Sequence, residues 1–209
     1  MIFRTFPVSP LQCNCSIIGD PVSKTAIVVD PGGDHEGILA TLRDLDLTVS
    51  LIIHTHAHFD HFLASGEMTK ATGAPLCLHK ADQPLWENLE LQCQLFGVPY
   101  VPVPDPSQWI GDGEKLCVGN LAATALHTPG HTPGSMCFHI ESANLLLAGD
   151  TLFQGSIGRT DLWGGDSGAI ERSIKTRLYV LDEATRVITG HGPETTIGFE
   201  LRHNACVRG

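Results

Sequence analysis

The chain has 209 residues, of which 42% are hydrophobic and 17% charged, and its formal net charge is -10 at pH 7. This length suits one domain with a substantial core, so we predict a single domain over residues 1–209. No apolar run approaches the roughly 18 residues of a membrane span, and we expect a soluble protein with no membrane partner. The acidic balance also argues against a nucleic-acid partner, because such binding needs Lys and Arg to neutralise phosphates.

The start of the chain, MIFRTFPVSPLQCNC, lacks the charged segment, the continuous apolar stretch and the cleavage site of a signal peptide. A cytoplasmic location is therefore predicted. The seven cysteines are an odd count without framework spacing and are interpreted as reduced thiols. Cys13 and Cys15 form a C-x-C that could hold a soft metal, but alternate positions of one strand explain the pair more simply.

Strands and helices are interspersed along both halves of the chain. Apolar, β-branched runs near Gly or Pro predict strands over 15–18, 25–30, 49–53, 114–118, 121–127, 135–140, 145–148 and 186–189. Helices are predicted over 36–45, from about 60 to 71, over 80–96 and over 166–179. The prolines of 97–106 predict an ordered surface loop that could border a site. This order suggests a layered α/β protein with two sheets packed face to face and helices outside.

The stretch THAHFDH, residues 55–61, concentrates potential metal ligands in one short loop. His56 and His58 are two residues apart, so in an extended segment both imidazoles point the same way. Asp60 and His61 follow where the chain turns towards a helix. An open catalytic ion takes about three protein ligands and keeps a place for water, so four ligands here make a second ion plausible. The alternative is a polar surface loop, which this dense pattern makes less plausible than it is for an isolated histidine.

Three further potential ligands lie where predicted strands end or in glycine-rich turns. His131 is in HTPGHTPGS, Asp150 is in LLLAGDTLF and His191 is in VITGHGP. Loops at one edge of a sheet commonly build such sites, and the glycines let the backbone turn sharply.

The combination resembles the metallo-β-lactamase superfamily, whose ordered signature is H-x-H-x-D-H followed by a distant His, an Asp and a His. All seven positions match. The resemblance implies an αββα sandwich of two mixed sheets with helices on the outer faces. It implies two divalent ions, the first bound by His56, His58 and His131 and the second by Asp60, His61 and His191, with Asp150 as the bridge.

Within the superfamily the segment GDTLFQGSIGRTD, residues 149–161, is similar to the glyoxalase II (hydroxyacylglutathione hydrolase) group in its short, single-domain bacterial form. This resemblance implies hydrolysis of a small-molecule thioester, a glutathione conjugate such as S-lactoylglutathione. The ions would lower the pKa of a shared water from about 15.7 towards 7, giving a metal-bound hydroxide as the nucleophile. Zinc is the predicted metal, and iron or manganese also suits these ligands.

The same resemblance implies roles for two further side chains. Asp60 would assist proton movement as a catalytic residue while it binds metal. Arg159 would bind the glutathione moiety of the substrate, and a solvated arginine is the alternative for it. The remaining histidines match no ligand position of the family and are assigned structural roles, with hydrogen bonds from His54 and His127 to the ligands as the alternative for those two.

Three other functions are compatible with parts of the pattern. A persulfide dioxygenase with mononuclear iron would need only His56, His131 and Asp150 as its ligands. A purely structural metal site would be closed by four ligands per ion, which this distribution does not favour. A β-lactamase would usually need export, which the start of the chain does not support.

Overall fold

Two six-stranded sheets form the centre of the molecule, and the computed structural model describes all residues from 1 to 209. The first sheet contains β1 (Ile2–Val8), β2 (Cys13–Gly19), β3 (Thr25–Val29), β4 (Thr48–Ile53), β5 (Leu76–Leu78) and β6 (Gln108–Trp109), in that spatial order. Neighbours from β1 to β3 are antiparallel, and those from β3 to β6 are parallel. The first sheet is therefore mixed.

The remaining strands come from the second half of the chain. They are β7 (Lys115–Val118), β8 (Leu121–His127), β9 (Met136–Ile140), β10 (Leu145–Gly149), β11 (Leu152–Phe153), β12 (Ser156–Ile157), β13 (Arg186–Thr189) and β14 (Thr195–Thr196). The second sheet has the order β14-β13-β10-β9-β8-β7, with only β10 and β13 parallel. β11 and β12 form a separate small hairpin.

Six α-helices complete the fold: α1 (His35–Asp44), α2 (Ser65–Thr72), α3 (Gln83–Trp86), α4 (Leu89–Leu95), α5 (Ser167–Ser173) and α6 (Ile197–His203). Asp166 begins α5 and Thr196 begins α6, because each side chain accepts a hydrogen bond from a backbone N–H of the first turn. A π-helical turn, Ile174–Leu178, continues α5. No helix has the length and apolar character needed to cross a membrane.

The central strands of each sheet are apolar on both faces, because each sheet is covered on both sides. Ile18 and Ile27 of the first sheet pack between the sheets against Phe138 of the second. The adjacent residue Ile17 faces the opposite way and joins a cluster with α1 and α2, as the two-residue period of a strand requires. On the other side, Leu146 of β10 packs with α5 and α6. The layers therefore run helix, sheet, sheet, helix.

The predicted α/β architecture of two mixed sheets with outer helices is confirmed. Six strands and one helix were not predicted: β1, β5, β6, β11, β12, β14 and α6. β1 is an edge strand with Pro7 and several exposed positions, so it lacks the continuous apolar run of the central strands. The helix predicted from residue 60 begins only at Ser65, after a 3₁₀ turn, Phe59–His61.

Candidate metal centre

Three strands end close together where the two sheets meet. β4 leads into the loop that carries His56, β10 ends directly before Asp150, and β13 ends shortly before His191. The sheets are joined here by a backbone hydrogen bond of 2.7 Å from Asn14 N to Gly190 O. The fold thus brings together side chains that are far apart in the sequence.

Two glycines next to the predicted ligands are required by the geometry of this edge. Gly149 has a φ of 49°, in the left-handed region that glycine adopts without strain. A Cβ at Gly190 would collide with Oδ1 of Asp150. The absence of a side chain at residue 190 therefore leaves the space that the Asp150 carboxylate occupies.

His56, His58 and His131, the first predicted ligand set, lie together and could hold a metal ion, with their nearest nitrogens within 4.8 Å of one another. Nδ1 of His58 lies 2.8 Å from Nε2 of His131, and the same Nε2 lies 3.2 Å from Nε2 of His56. Three nitrogens that converge in this way can hold a catalytic ion and leave a coordination position open.

Asp60, His61 and His191, the second predicted ligand set, could hold another ion, with their nearest ligand atoms again within 4.8 Å of one another. Oδ2 of Asp60 lies 3.1 Å from Nε2 of His191 and 3.8 Å from Nε2 of His61. The 3₁₀ turn, Phe59–His61, lets two adjacent residues contribute to one set.

Asp150 lies between the two sets. Its Oδ2 is 3.6 Å from Nε2 of His131 in the first set. Its Oδ1 is 3.5 Å from Nε2 of His61 and 3.8 Å from Nε2 of His191 in the second set. Burial raises the pKa of Asp150, but the neighbouring His61 outweighs burial and holds that pKa well below its usual range. Each carboxylate oxygen faces a different set, which is the position of a bridging ligand.

The residues present fit a pair of divalent ions. Nε2 of His61 and Oδ1 of Asp150 are buried without a hydrogen-bond partner, which costs free energy unless another group satisfies them. Burial lowers the pKa of His56 and lowers that of His58 to about 3, so both rings are neutral and keep a lone pair for a cation. Imidazole and carboxylate donors suit zinc, iron and manganese.

Hydrogen bonds on the far side of three rings determine which nitrogen faces the centre. Nδ1 of His131 donates to the carbonyl of Arg159 at 2.8 Å, and Nδ1 of His191 donates to that of Leu11 at 2.9 Å. Nδ1 of His61 lies 3.0 Å from Oδ2 of Asp30. Because a carbonyl oxygen can only accept, a neutral His131 or His191 ring carries its proton on Nδ1 and has its lone pair on Nε2, which faces the centre.

Two buried aspartates that sequence reasoning missed support the ligand loops. Asp30 directly follows β3 and accepts hydrogen bonds from the backbone and hydroxyl of Thr55 at 2.8 and 2.7 Å, in addition to its contact with His61. Asp82 accepts from Ala57 N at 3.0 Å, Thr132 Oγ1 at 2.8 Å and Gly134 N at 2.5 Å. Its carboxylate thus ties the His56–His58 loop to the His131 loop. The position of Asp30 after a buried strand was a usable signal, whereas Asp82 had none.

His54 and His127, which match no ligand position of the family, form structural contacts and do not support the ligands. His54 stacks on Phe62, and its Nε2 lies 2.8 Å from Ser65 Oγ. His127 stacks on His79 and bonds to the carbonyl of Pro133 at 2.9 Å. Both rings are therefore occupied elsewhere in the structure.

A cavity of about 410 Å³ opens beside the ligands, which contribute His58, Asp60, His131 and Asp150 to its lining. Arg159 also lines it, and its exposed guanidinium forms a bidentate ion pair with Asp161 at 3.0 and 2.8 Å. None of residues 97–106 lines this cavity, so that loop does not border it. The prediction of a bordering loop was wrong because α3 and α4 occupy that side.

Comparison with known proteins identifies the family. The family model described as the metallo-beta-lactamase superfamily matches residues 8–191. The chain belongs to the metallo-β-lactamase superfamily. Members of this superfamily are generally enzymes, chiefly hydrolases, and bind a pair of metal ions. The two ligand sets on either side of Asp150 agree with that membership.

Three relatives in the superfamily cover nearly the whole chain. The hydroxyacylglutathione hydrolase GloC of Haemophilus influenzae is 38% identical over 206 residues, 98% of this chain and 97% of that protein. The crystal structure of BLEG-1 B3 metallo-β-lactamase is 36% identical with a TM-score of 0.89 and covers 100% of both chains. TTHA1623 in a di-iron-bound form is 37% identical with a TM-score of 0.89 and covers 97% of this chain and 98% of that chain.

Proposed function

We propose that the protein hydrolyses S-acyl glutathione thioesters, such as S-lactoylglutathione, at a centre of two divalent ions. The observation that carries this proposal is the placement of the Asp150 carboxylate, whose two oxygens face two separate three-residue ligand sets at the edge of one cavity, with members of both sets in its lining. The name of the Haemophilus influenzae relative supports the substrate class. We take zinc as the metal, while the di-iron form of TTHA1623 makes iron the main alternative.

Bound ions would supply hydroxide at neutral pH and polarise the substrate carbonyl. The chain itself positions the reactants. His58, Asp60, His131 and Asp150 border the cavity, so a thioester carbonyl within it lies beside both ligand sets. Oδ2 of Asp60 is held 3.1 Å from His191 Nε2, and its place in the cavity lining lets it accept a proton from a reacting water.

The cavity lining favours a thioester over an amide. Apart from the predicted ligands, Arg159 is the only ionisable side chain that lines the cavity, and it cannot act as an acid at neutral pH. A thiolate, with a thiol pKa of about 8.5, needs little protonation when it leaves, whereas an amine leaving group needs a proton donor. The site therefore matches a substrate with a good leaving group, because a thiolate can leave without help, whereas an amine would depend on the proton that Asp60 takes from the water.

Metal analysis beside activity assays tests the proposal. We expect about two divalent ions per chain and hydrolysis of S-lactoylglutathione that disappears on chelation and returns with metal. Oxygen consumption with a persulfide and one iron per chain would instead support the dioxygenase on His56, His131 and Asp150. Faster turnover of a β-lactam than of any thioester would favour the activity named for BLEG-1.

Replacement of His191 with alanine separates a two-ion from a one-ion mechanism. The variant loses one donor of the second set and none of the first, so we expect the bound metal to fall towards one ion per chain. Thioester hydrolysis should fall by roughly 100-fold or more. Full activity with one ion bound would show that the second set is dispensable. His203→Ala, at an exposed histidine of α6, is the matched control.

Arg159 is proposed to bind a carboxylate of the glutathione moiety, away from the reacting carbonyl. Because such a contact is the same in ground and transition states, Arg159→Ala should raise KM and leave kcat nearly unchanged. We expect a rise of only several-fold, since the guanidinium is exposed and already pairs with Asp161. Asp161→Asn should lower KM, because it frees the guanidinium. If Arg159→Ala raised KM equally for thioesters with and without a glutathione moiety, this role of Arg159 would be excluded.

A further inference from the structure

An exposed apolar surface lies beside the proposed metal centre. Five of the eleven exposed large hydrophobic side chains line the same cavity as the ligands. These five are Leu11, Leu91, Leu95, Phe96 and Trp163. Leu95 is 75% exposed and Trp163 is 57% exposed. Clusters of exposed apolar groups mark binding sites, so this one requires an explanation beyond packing.

Two segments supply most of this surface. The first is α4 with the residue after it, and the second is the β11–β12 hairpin with the loop that follows. We call their side chains the apolar wall: Leu91, Leu95, Phe96, Phe153, Leu162 and Trp163. A group attached to a carbonyl at the ligands would extend along this wall, because both line one cavity.

Hydrogen bonds hold both segments in place. On α4, the Gln92 amide donates to the carbonyls of Ala57 and Leu85 at 3.0 and 2.9 Å, and its oxygen accepts from Phe59 N at 3.1 Å. At the hairpin, the buried Glu200 carboxylate accepts from Gly155 N at 2.9 Å. A surface fixed before the ligand arrives binds at a lower cost in conformational entropy.

The cavity offers few partners to a polar acyl group. Apart from the predicted ligands, its polar side chains are Asn88, Gln92 and Arg159. The Gln92 amide is already bonded to the backbone, the Asn88 amide donates to Pro84 O at 2.9 Å, and the Arg159 guanidinium is the group proposed to bind the glutathione moiety rather than the acyl group. A lactoyl group, with three carbons and a hydroxyl, would leave most of the apolar wall in contact with water.

We propose that the acyl group this protein removes is a large apolar one, either a medium-length aliphatic chain or an arylalkyl group, which packs against Leu95, Phe96 and Trp163. This inference rests on the proposed thioester hydrolysis and specifies its substrate class. The cavity volume of about 410 Å³ lies within the range of small-molecule sites, roughly 300 to 1,000 Å³. The glutathione moiety remains the carrier that leaves.

Two substrate series with the metal-loaded protein test the proposal. In the first, glutathione carries acetyl, lactoyl, butyryl, hexanoyl, octanoyl or phenylacetyl groups. We expect kcat/KM to rise about two- to fourfold per methylene and to exceed the lactoyl value by roughly tenfold or more at hexanoyl. In the second, the acyl group stays acetyl and the thiol becomes more apolar. If kcat/KM rose only in the second series, the thiol and not the acyl group would lie on the apolar wall, and the proposal would be overturned.

Variants at exposed positions test which residues make the wall. Leu95→Ser and Trp163→Ser should each reduce the rise in kcat/KM per methylene in the acyl series. Val180→Ser is the matched control, because Val180 is 70% exposed and does not line the cavity. Unchanged chain-length dependence in both wall variants, with intact folding by circular dichroism, would contradict the assignment.

Binding of a thioether that cannot be hydrolysed separates this inference from the proposed function. S-hexylglutathione should bind at least about tenfold more tightly than S-methylglutathione and change the fluorescence of Trp163, with the Trp163→Phe variant as the reference. If no thioester is hydrolysed but this preference holds, the proposed function fails and the apolar site stands. The opposite result is that S-lactoylglutathione is hydrolysed, kcat/KM does not depend on acyl chain length and S-hexylglutathione binds no more tightly than S-methylglutathione. The proposal of an apolar acyl group would then be wrong, and the proposed hydrolase activity would stand.

Discussion

Asp150→Ala is expected to remove nearly all hydrolysis, by roughly 10³-fold or more in kcat/KM, and to reduce the content of both metal ions. The reason is the position of its carboxylate, with Oδ2 3.6 Å from His131 Nε2 and Oδ1 3.5 Å from His61 Nε2. No other side chain faces both ligand sets with separate oxygens, so the loss affects both ions at once. Metal analysis, steady-state kinetics and circular dichroism of the same preparation measure the three quantities.

The control for Asp150→Ala is Asp105→Ala, which removes an exposed carboxylate in the 97–106 loop outside the cavity. It should retain wild-type metal content and kinetics. Wild-type rates and two bound ions in Asp150→Ala would remove Asp150 from the site and with it the proposed two-ion centre. Loss of activity with both ions retained would limit the role of Asp150 to positioning.

Asp82→Ala is expected to destabilise the fold by about 3 kcal/mol or more, although residue 82 contacts none of the seven predicted ligands. The carboxylate is buried and accepts from Ala57 N, Thr132 Oγ1 and Gly134 N. Each buried donor left without an acceptor costs about 1 to 3 kcal/mol. For a chain of this size that corresponds to a fall in Tm of roughly 6 to 12 °C.

Activity and stability together distinguish the role of Asp82 from that of a ligand. The two loops that Asp82 joins carry His56, His58 and His131, so we expect weaker retention of the first ion in Asp82→Ala. Asp82→Asn keeps one acceptor oxygen but presents an NH₂ to a donor, and it should lie between wild type and Asp82→Ala in Tm. A Tm within about 1 °C of wild type in Asp82→Ala would contradict this account.

The central elements of the fold followed from local patterns in the sequence, whereas the short strands, the edge strand β1 and α6 did not. Continuous apolar runs predicted the central strands because both faces of each sheet are buried. β5 and β14 are too short for a periodic signal, and pairing with neighbouring strands alone makes them extended. Thr196 caps the N-terminus of α6, and a threonine at such a position is a helix signal in the sequence. The apolar pattern that follows it is too short to predict a helix.

By itself the sequence determined the set of candidate ligands, because the H-x-H-x-D-H spacing and the glycines beside Asp150 and His191 are local features. In the structure these residues divide into two sets around Asp150, as the resemblance implies. Only the atomic positions show which set each carboxylate oxygen of Asp150 faces. The supporting role of Asp82 and the apolar wall were decided by tertiary structure alone, and so were the partners of Asp30, although its position after a buried strand is visible in the sequence. Their contacts join residues tens of positions apart, and no periodicity or spacing along the chain encodes which side chains meet when two sheets pack.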